Sequence, residues 1–305
     1  MVHRGQMNRN LIPPVYLSPR KKDAHKGDFG KIGIVAGSRG MSGAAVLCGN
    51  AALRSGSGLV SIFTPISAQN IVAMGNPCYM VSPMRETSEG KLCVSAVPEL
   101  MDSLKNKDVV TLGPGCGTGP GLEMLLRALL AKTGKLVVDA DGLNQLSLMG
   151  NWWKNKKTEL ILTPHPGEIK RLAYGAGWEM PQSREQTSIG FSELTNSVVL
   201  LKGRHTVIAD FNKTRINQTG NPGMARGGSG DVLTGIIAAL WGQGLSGFEA
   251  TALGAFIHGL AGDLAAEKHG QISMLPTDLI AELPRAFEGA ISPEGPEKTI
   301  PKSDQ

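Results

Sequence analysis

Residues 221–241 read NPGMARGGSGDVLTGIIAALW, a glycine-rich segment that leads into an apolar helical pattern. Beyond residue 231 the apolar side chains fall at 232, 233, 236, 237, 240 and 241, a spacing typical of a helix with one buried stripe. The glycines at 227, 228 and 230 therefore lie at the N-terminus of that helix, where free amides and the helix dipole favour an anion. Because glycine has no Cβ, its amide can approach a phosphate closely. The stretch predicts a phosphate-binding loop.

Asp231 places a carboxylate at this helix N-terminus, where the glycines already favour a negatively charged ligand. One interpretation is that it caps the helix, as aspartate often does. The other is that it accepts a proton from a hydroxyl group bound beside the phosphate. The preceding glycine run favours the second interpretation, and we predict that Asp231 is the catalytic residue.

Short β-branched runs alternate with helical patterns along the rest of the chain. The predicted strands are Lys31–Ala36, Leu59–Phe63, Val109–Leu112, Leu136–Asp139, Leu160–Leu162, Val198–Leu201 and Thr206–Ala209. The predicted helices are 42–55, 67–74, 96–106, 121–133, 141–149, 167–175, 182–195, 230–241, 248–268 and 276–288. Such alternation is typical of an α/β fold with a central, mostly parallel sheet flanked by helices on both faces. We predict a basic arm at 1–25, a single domain at 26–288 and a flexible tail at 289–305.

Glycine-rich and polar loops follow four of the predicted strands, at 37–43, 113–119, 139–144 and 163–168. A single loop of this kind would be interpreted as a tight turn. Ligands of open α/β sheets bind beyond the carboxyl ends of the strands, and four such loops therefore predict a crevice where backbone closely approaches a large ligand.

Two further segments are candidates for ligand contact. Residues 202–206 lie between two predicted strands, so they are either a plain hairpin turn or the rim of a nucleotide site. His165 and Glu168 lie three residues apart at the start of a predicted helix, but no third metal ligand follows from the spacing, and we predict no protein metal site. His165 is better interpreted as a hydrogen-bonding residue of the ligand site. Glu168 either contacts magnesium indirectly or favours the helix N-terminus. His258, Asp263 and His269 are interpreted as packing or surface residues.

The composition narrows the class of protein. The chain has 305 residues, of which 41% are hydrophobic and only 5% aromatic, which favours a globular protein without an RNA-stacking surface. The net charge of +5 arises largely in the first 31 residues, where seven lysines and arginines stand against two aspartates, so we expect no nucleic-acid partner. The four cysteines lack CxxC spacing and are interpreted as buried thiols of a reducing compartment. The sequence predicts no leader, membrane span or membrane partner, which favours a cytoplasmic location.

Four motifs, taken together and in order, carry a resemblance to a known family. They are KGDFGKIGIVAGS at 26–38, GMSGAA at 40–45, TPHPGE at 163–168 and NPGMARGGSGDVL at 221–233. Over about residues 25–288 the chain resembles the NAD(P)H-hydrate dehydratases of the ribokinase-like superfamily, as a stand-alone dehydratase domain. The resemblance implies dehydration of the S epimer of hydrated NADH and NADPH (NADHX and NADPHX). It further implies Mg²⁺, ADP or ATP as co-substrate, and a phosphorylated ring hydroxyl that is then eliminated.

The resemblance also assigns residues. Asp231 matches the family's catalytic aspartate. The adenine-nucleotide site is matched by Lys202, Gly203, Arg204, His205, Thr206, Gly228, Ser229 and Gly230. The hydrated dinucleotide site is matched by Ala45, Gly115, Gly117, His165 and Asp231. A homo-oligomer, specifically a tetramer, is implied as well. Arg226 departs from the family, which usually has threonine there, and Ser229 stands where threonine is common.

Two alternatives stay open at the level of sequence. A small-molecule kinase of the same fold would use the same anion loop and the same aspartate. A nucleotide-binding regulatory or scaffold protein would keep the glycine-rich loops without turnover. Asp231 argues against the second alternative, because a pure binder gains little from a carboxylate beside a phosphate.

Overall fold

The computed structural model describes residues 12–291. These residues form one sheet of nine strands in the order β3-β2-β1-β4-β5-β6-β7-β8-β9. The strands are β1 (Lys31–Val35), β2 (Leu59–Pro65), β3 (Met80–Met84), β4 (Val109–Leu112), β5 (Lys135–Val138), β6 (Glu159–Leu162), β7 (Val198–Leu201), β8 (Val207–Asp210) and β9 (Lys213–Ile216). Strands β1 to β7 pair in parallel, whereas β8 and β9 are antiparallel additions at one edge. The mostly parallel sheet is thus confirmed.

The helices follow the predicted ranges closely. They are α1 (Ser42–Arg54), α2 (Ile66–Met74), α3 (Val97–Ser103), α4 (Pro120–Leu130), α5 (Asp141–Met149), α6 (Pro166–Ala176), α7 (Arg184–Thr195), α8 (Ser229–Gly242), α9 (Gly247–Ser273) and α10 (Pro276–Glu288). Short 3₁₀ turns lie at Lys26–Phe29, Val94–Ala96 and Pro222–Met224.

Strands β3 and β9 were not predicted, and both lie at the edges of the sheet. Strand β3 contains Pro83 and is only partly buried, while every side chain of β9 is exposed. An edge strand has no need of the apolar run that marks a strand with both faces covered, so neither segment carried that signal.

Helices cover both faces of the sheet, as predicted. One core cluster joins the sheet to α1, α2, α8, α9 and α10, and the other joins it to α3 to α7. The prediction of a single buried stripe on α8 is wrong, because every residue from Val232 to Trp241 is buried. Helix α8 packs against α1, α9 and the sheet at once, and therefore has no solvent-facing side.

The register of the parallel strands brings their carboxyl ends to one edge. Val35 of β1 lies beside Leu112 of β4, Leu112 beside Val138 of β5, and Val138 beside Leu162 of β6. The loops that follow these strands therefore meet above the sheet. Strand order reverses between β1 and β4, and this is where open α/β sheets form their ligand crevice.

The described part of the basic arm contacts the body. The Leu17 amide donates to the Ala290 carbonyl at 2.8 Å, and the Arg20 guanidinium lies 3.8 Å from the centre of the Phe29 ring. The remaining predicted arm and tail residues, 1–11 and 292–305, lie outside the described residues. The division of the chain into arm, domain and tail stays a prediction.

The prediction that all four cysteines are buried is wrong for two of them. Cys48 and Cys116 are buried, but Cys78 is exposed and Cys93 is half-buried, and all four are free thiols. Cys78 lies in the turn between α2 and the edge strand β3, which the rest of the sheet does not cover. Among residues 12–291, no helix combines the length and apolar character needed to cross a membrane.

Candidate functional site

The predicted crevice forms where the loops after β1 and β4 meet. The Gly37 amide donates to the Pro114 carbonyl at 2.8 Å, and Ser38 Oγ donates to the Gly115 carbonyl at 2.7 Å. Gly113 has φ +125°, and a Cβ there would lie 1.9 Å from the Asp139 carbonyl oxygen, so only glycine fits. The loops after β1, β4 and β5 therefore form one continuous wall.

The N-terminus of α8 has the geometry of an anion site. Gly228 precedes the helix with φ +95°, and no side chain caps the first turn. The Ser229 amide makes only a long bond, at 3.4 Å, to the Arg226 carbonyl, and no side chain caps the other amides of the first turn. Ser229 is only 7% exposed, and its Oγ has no hydrogen-bond partner among the described residues. An unpaired buried hydroxyl costs about 1–3 kcal/mol, which a ligand oxygen would offset.

Asp231 lies in the first turn of α8, and its carboxylate makes no hydrogen bond or ion pair within residues 12–291. The capping alternative is thus not what the structure contains. Burial raises the pKa of Asp231 to about 7, and the nearby negative charge of Asp139 adds to the effect, whereas Lys202 opposes it. A carboxyl group with a pKa near neutrality is suited to accept a proton.

A buried ion pair lies next to this carboxylate. Lys202 Nζ is 2.7 Å from Asp139 Oδ1, and Thr234 Oγ1 donates to Asp139 Oδ2 at 2.8 Å. Burial alone would raise the pKa of Asp139, but Lys202 and Thr234 hold it below its ordinary value. The pKa of Lys202 rises in turn, because Asp139 and Glu168 outweigh the effect of burial. Sequence reasoning placed Asp139 in a ligand loop but missed this pairing, which spans 63 positions.

Residues 202–206 form the predicted hairpin, since β7 and β8 pair antiparallel on either side. Gly203, Arg204 and His205 are exposed at the rim of the crevice. The Lys202 amide donates to the Pro164 carbonyl at 2.8 Å, which ties the hairpin to the loop after β6. Both segments thus border the same crevice.

His165 and Glu168 form a reciprocal cap on α6. His165 Nδ1 accepts from the Gly167 amide at 2.9 Å, while Glu168 Oε2 accepts from the His165 amide at 2.7 Å. Burial and the neighbouring Lys202 lower the pKa of His165, whose ring nevertheless stays exposed toward solvent. Glu168 is 5% exposed and burial raises its pKa. Residues 12–291 contain no group of three or more His, Cys, Asp or Glu side chains placed to hold a metal ion.

The residues matched to the dinucleotide site differ in their access to the crevice. Gly117 is partly exposed, and its amide donates to Asp141 Oδ2 at 2.8 Å. Gly115 is buried against the Met41 carbonyl. Ala45 is 0% exposed, and its side chain packs beneath Gly37 in the loop after β1. The ligand roles of these residues remain predictions.

Three residues to which no ligand role was assigned make hydrogen bonds in or near the segment that contains the glycine loop. His258 Nε2 donates to the Ser229 carbonyl at 2.9 Å, and burial lowers the pKa of His258 to about 4, so the ring is neutral. Asp263 accepts from the Gly220 amide at 2.9 Å. Arg226 is exposed and donates to the Ile272 carbonyl at 2.6 Å, which directs it along the protein surface.

A helix N-terminus suited to an anion, beside an unpaired carboxylate in a crevice above a parallel sheet, is the arrangement expected of an enzyme that acts on a phosphorylated ligand. A family model described as NAD(P)H-hydrate dehydratase matches residues 32–285. The chain belongs to this family.

Known relatives agree with the match. The chain is 41% identical over 290 residues to a bifunctional NAD(P)H-hydrate repair enzyme of Moorella thermoacetica, covering 93% of this chain and 55% of the relative. It therefore spans about half the length of the curated relatives it matches. Among solved structures, the ADP/ATP-dependent NAD(P)H-hydrate dehydratase of Bacillus subtilis, co-crystallised with ATP and Mg²⁺, is 26% identical with a TM-score of 0.77, over 90% of this chain and 94% of that one. A ribokinase-like superfamily protein of Enterococcus faecalis is 26% identical with a TM-score of 0.78, over 91% and 93%. The predicted ribokinase-like fold is confirmed.

Proposed function

We propose that the chain dehydrates the S epimer of NADHX and NADPHX to NADH and NADPH, coupled to the conversion of ADP to AMP and phosphate. Family membership supports the reaction class. The observation that carries the proposal is the Asp231 carboxylate, unpaired among the described residues and set in the first turn of α8.

The proposed chemistry begins with the ring hydroxyl of the hydrated nicotinamide. Asp231 removes the hydroxyl proton, the oxygen bonds to the β-phosphorus of ADP, and the bond between that phosphorus and the AMP oxygen breaks. The carbon–oxygen bond then breaks and its electron pair leaves with the phosphate, while the neighbouring ring carbon gives a proton to solvent and its carbon–hydrogen electron pair forms the ring double bond. Because the pKa of Asp231 is about 7, the carboxylate is both available and basic near neutral pH.

The nucleotide phosphates fit the positive end of α8. The amides of Gly228, Ser229 and Gly230 and the ammonium of Lys202 would face the phosphate oxygens. Because no three-ligand cluster exists in residues 12–291, Mg²⁺ would be held mainly by the nucleotide phosphates and water, as is usual for this ion. Mg²⁺ would neutralise phosphate charge. Glu168, whose Oε2 lies 3.8 Å from Lys202 Nζ, would contact this ion only indirectly.

The test is direct. Purified protein is incubated with NADHX, ADP and Mg²⁺, and recovery of reduced nicotinamide is followed by absorbance, with ATP in a parallel reaction. The Asp231→Asn variant is expected to keep ADP binding and to lose activity by roughly 10²–10⁴-fold, the usual contribution of a general base. Asp102→Asn, on the exposed surface of α3, serves as the matched control and should retain wild-type turnover.

The outcomes separate the open alternatives. A folded wild-type protein that returns no NADH would refute the dehydratase. Labelled phosphate that accumulates in a stable product would identify a small-molecule kinase, and ADP binding without turnover of any candidate would indicate a regulator. The tetramer and the cytoplasmic location stay predictions, and sedimentation of the 32.1-kDa chain measures the first.

A further inference from the structure

Asp139 is the most deeply buried charged residue at the crevice, at 1% exposure. It has no free oxygen, since Oδ1 pairs with Lys202 Nζ at 2.7 Å and Oδ2 accepts from Thr234 Oγ1 at 2.8 Å. At 1% exposure and with both oxygens in contact with protein groups, this carboxylate is not open to a substrate. Asp139 must therefore act through the residues that it contacts, Lys202 and Thr234.

Those partners belong to two different elements that border the crevice. Lys202 begins the hairpin after β7, and Thr234 lies one turn along α8 from Gly230, whose carbonyl Thr234 Oγ1 also contacts at 3.0 Å. A Cβ at Gly230 would lie 3.4 Å from Lys202 Nζ and 3.6 Å from Asp139 Oδ2. The ion pair thus lies directly beneath the phosphate-binding turn.

The backbone around Asp139 is strained in a way that serves this arrangement. Ala140 has φ +48° and ψ −117°, a conformation that residues with a side chain rarely adopt. This turn sends Asp139 toward Lys202 and sends Asp141 the other way, where its Oδ2 accepts from the Gly117 amide. Strain of this kind persists where the surrounding structure imposes it, commonly at functional sites.

We propose that Asp139 is a positioning residue that fixes the Lys202 ammonium beneath the phosphate-binding turn of α8 and sets the charge balance around Asp231. The proposal rests on the proposed nucleotide-dependent function of this site. Without Asp139, Lys202 loses its fixed position and Asp231 loses a neighbouring negative charge.

The direction in which Asp139 and Lys202 each shift the pKa of Asp231 can be stated. The charged groups that act on Asp231 are Asp139 after β5, Asp141 on α5 and Lys202 after β7. Glu168 on α6 acts on Lys202 from the other side, and the Cys48 and Cys116 thiols near Asp231 stay neutral because burial raises the pKa of both. His258 behind the loop is neutral as well. Removing Asp139 should therefore lower the pKa of Asp231, and removing Lys202 should raise it.

The experiment compares Asp139→Asn, Lys202→Met and the double variant. For each we measure the calorimetric Kd for ADP, and kcat as a function of pH with saturating substrates. Circular dichroism and thermal melting establish that each variant is folded. The double variant matters here, because removing both partners of a buried pair is better tolerated than removing one.

We expect each single variant to weaken ADP binding about tenfold or more, and the double variant to match Lys202→Met, since Asp139 acts through Lys202. The acidic limb of the kcat profile should move to lower pH in Asp139→Asn and to higher pH in Lys202→Met. If the two residues had a merely structural role, the acidic limb of the kcat profile would stay at the wild-type pH in both variants.

An unchanged ADP affinity in folded Asp139→Asn, or additive losses in the double variant, would overturn the proposal. This outcome is independent of the dehydratase assay. If the wild-type protein turns over no NADHX, the proposed function fails, whereas the ADP affinities still decide whether Asp139 positions Lys202.

Discussion

At the scale of a single residue, Asp231 shows how a reactive group is made at the expense of stability. Its carboxylate is partly buried, makes no hydrogen bond within the described residues, and has a pKa of about 7 in place of 3.8. Burial without a partner is unfavourable for an ionised group, and such positions are commonly functional. The same burial that makes Asp231 basic therefore weakens the folded state when the group is charged.

The raised pKa of Asp231 makes the stability of the folded protein depend on pH. Because the folded protein binds a proton at Asp231 that the unfolded chain has already lost, the free energy of unfolding falls as pH rises from about 4 to about 7. Asp231→Asn removes this cost and should raise the free energy of unfolding by about 1–4 kcal/mol at about pH 8. Urea denaturation measures the difference in the free energy of unfolding between the variant and the wild type. This difference should be smaller at about pH 5 than at about pH 8. A variant less stable than wild type at the higher pH would contradict this account.

At the scale of an element, the hairpin between β7 and β8 is held by one side chain from a neighbouring helix. The Arg184 guanidinium of α7 donates to the carbonyls of Arg204 at 2.5 Å, Leu201 at 2.9 Å and Lys202 at 3.0 Å. A planar guanidinium can serve several carbonyls at once, which a lysine ammonium cannot. The position of the proposed nucleotide rim thus depends on α7, an element that contributes no predicted ligand contact.

Replacing this side chain should loosen the rim without unfolding the protein. We expect Arg184→Lys to weaken ADP binding roughly tenfold, because a lysine ammonium cannot hold the same carbonyl groups together. A tenfold change in Kd corresponds to about 1.4 kcal/mol. Calorimetric titration with ADP measures the effect. Arg127→Lys on α4, where the arginine pairs only with Glu123 at the surface, is the matched control and should bind ADP as wild type does. Equal affinities in the two variants would show that Arg184 does not position the hairpin.

At the scale of the whole molecule, the crevice joins segments that are far apart in the chain. The loop after β1, the hairpin after β7 and the N-terminus of α8 all border it, and they are anchored in the two cores on opposite faces of the sheet. A ligand that contacts all of them binds only the folded state. Ligand binding should therefore stabilise the entire domain and not one loop alone.

Thermal melting with ADP tests this consequence. At about 100 times the Kd, ADP should stabilise the protein by about 2.7 kcal/mol and raise the Tm by several degrees. Lys202→Met, measured at the same ADP concentration, should show a smaller rise because it lacks the ammonium beneath the phosphate turn. A wild-type Tm that does not move with millimolar ADP would contradict the assignment of this crevice to a nucleotide.

The amino-acid sequence was enough to predict the alternation of strands and helices, the loops at the carboxyl ends of the strands, and the glycine turn that leads into Asp231. These features follow from local periodicity and turn chemistry, which neighbouring residues specify. Three features became visible only in the folded protein: Lys202 pairs with Asp139, α8 is buried on every side, and Ala45 lies below the crevice wall. Pairing across 63 positions and the burial that shifts the pKa of Asp231 depend on how distant elements pack, and no local pattern encodes them.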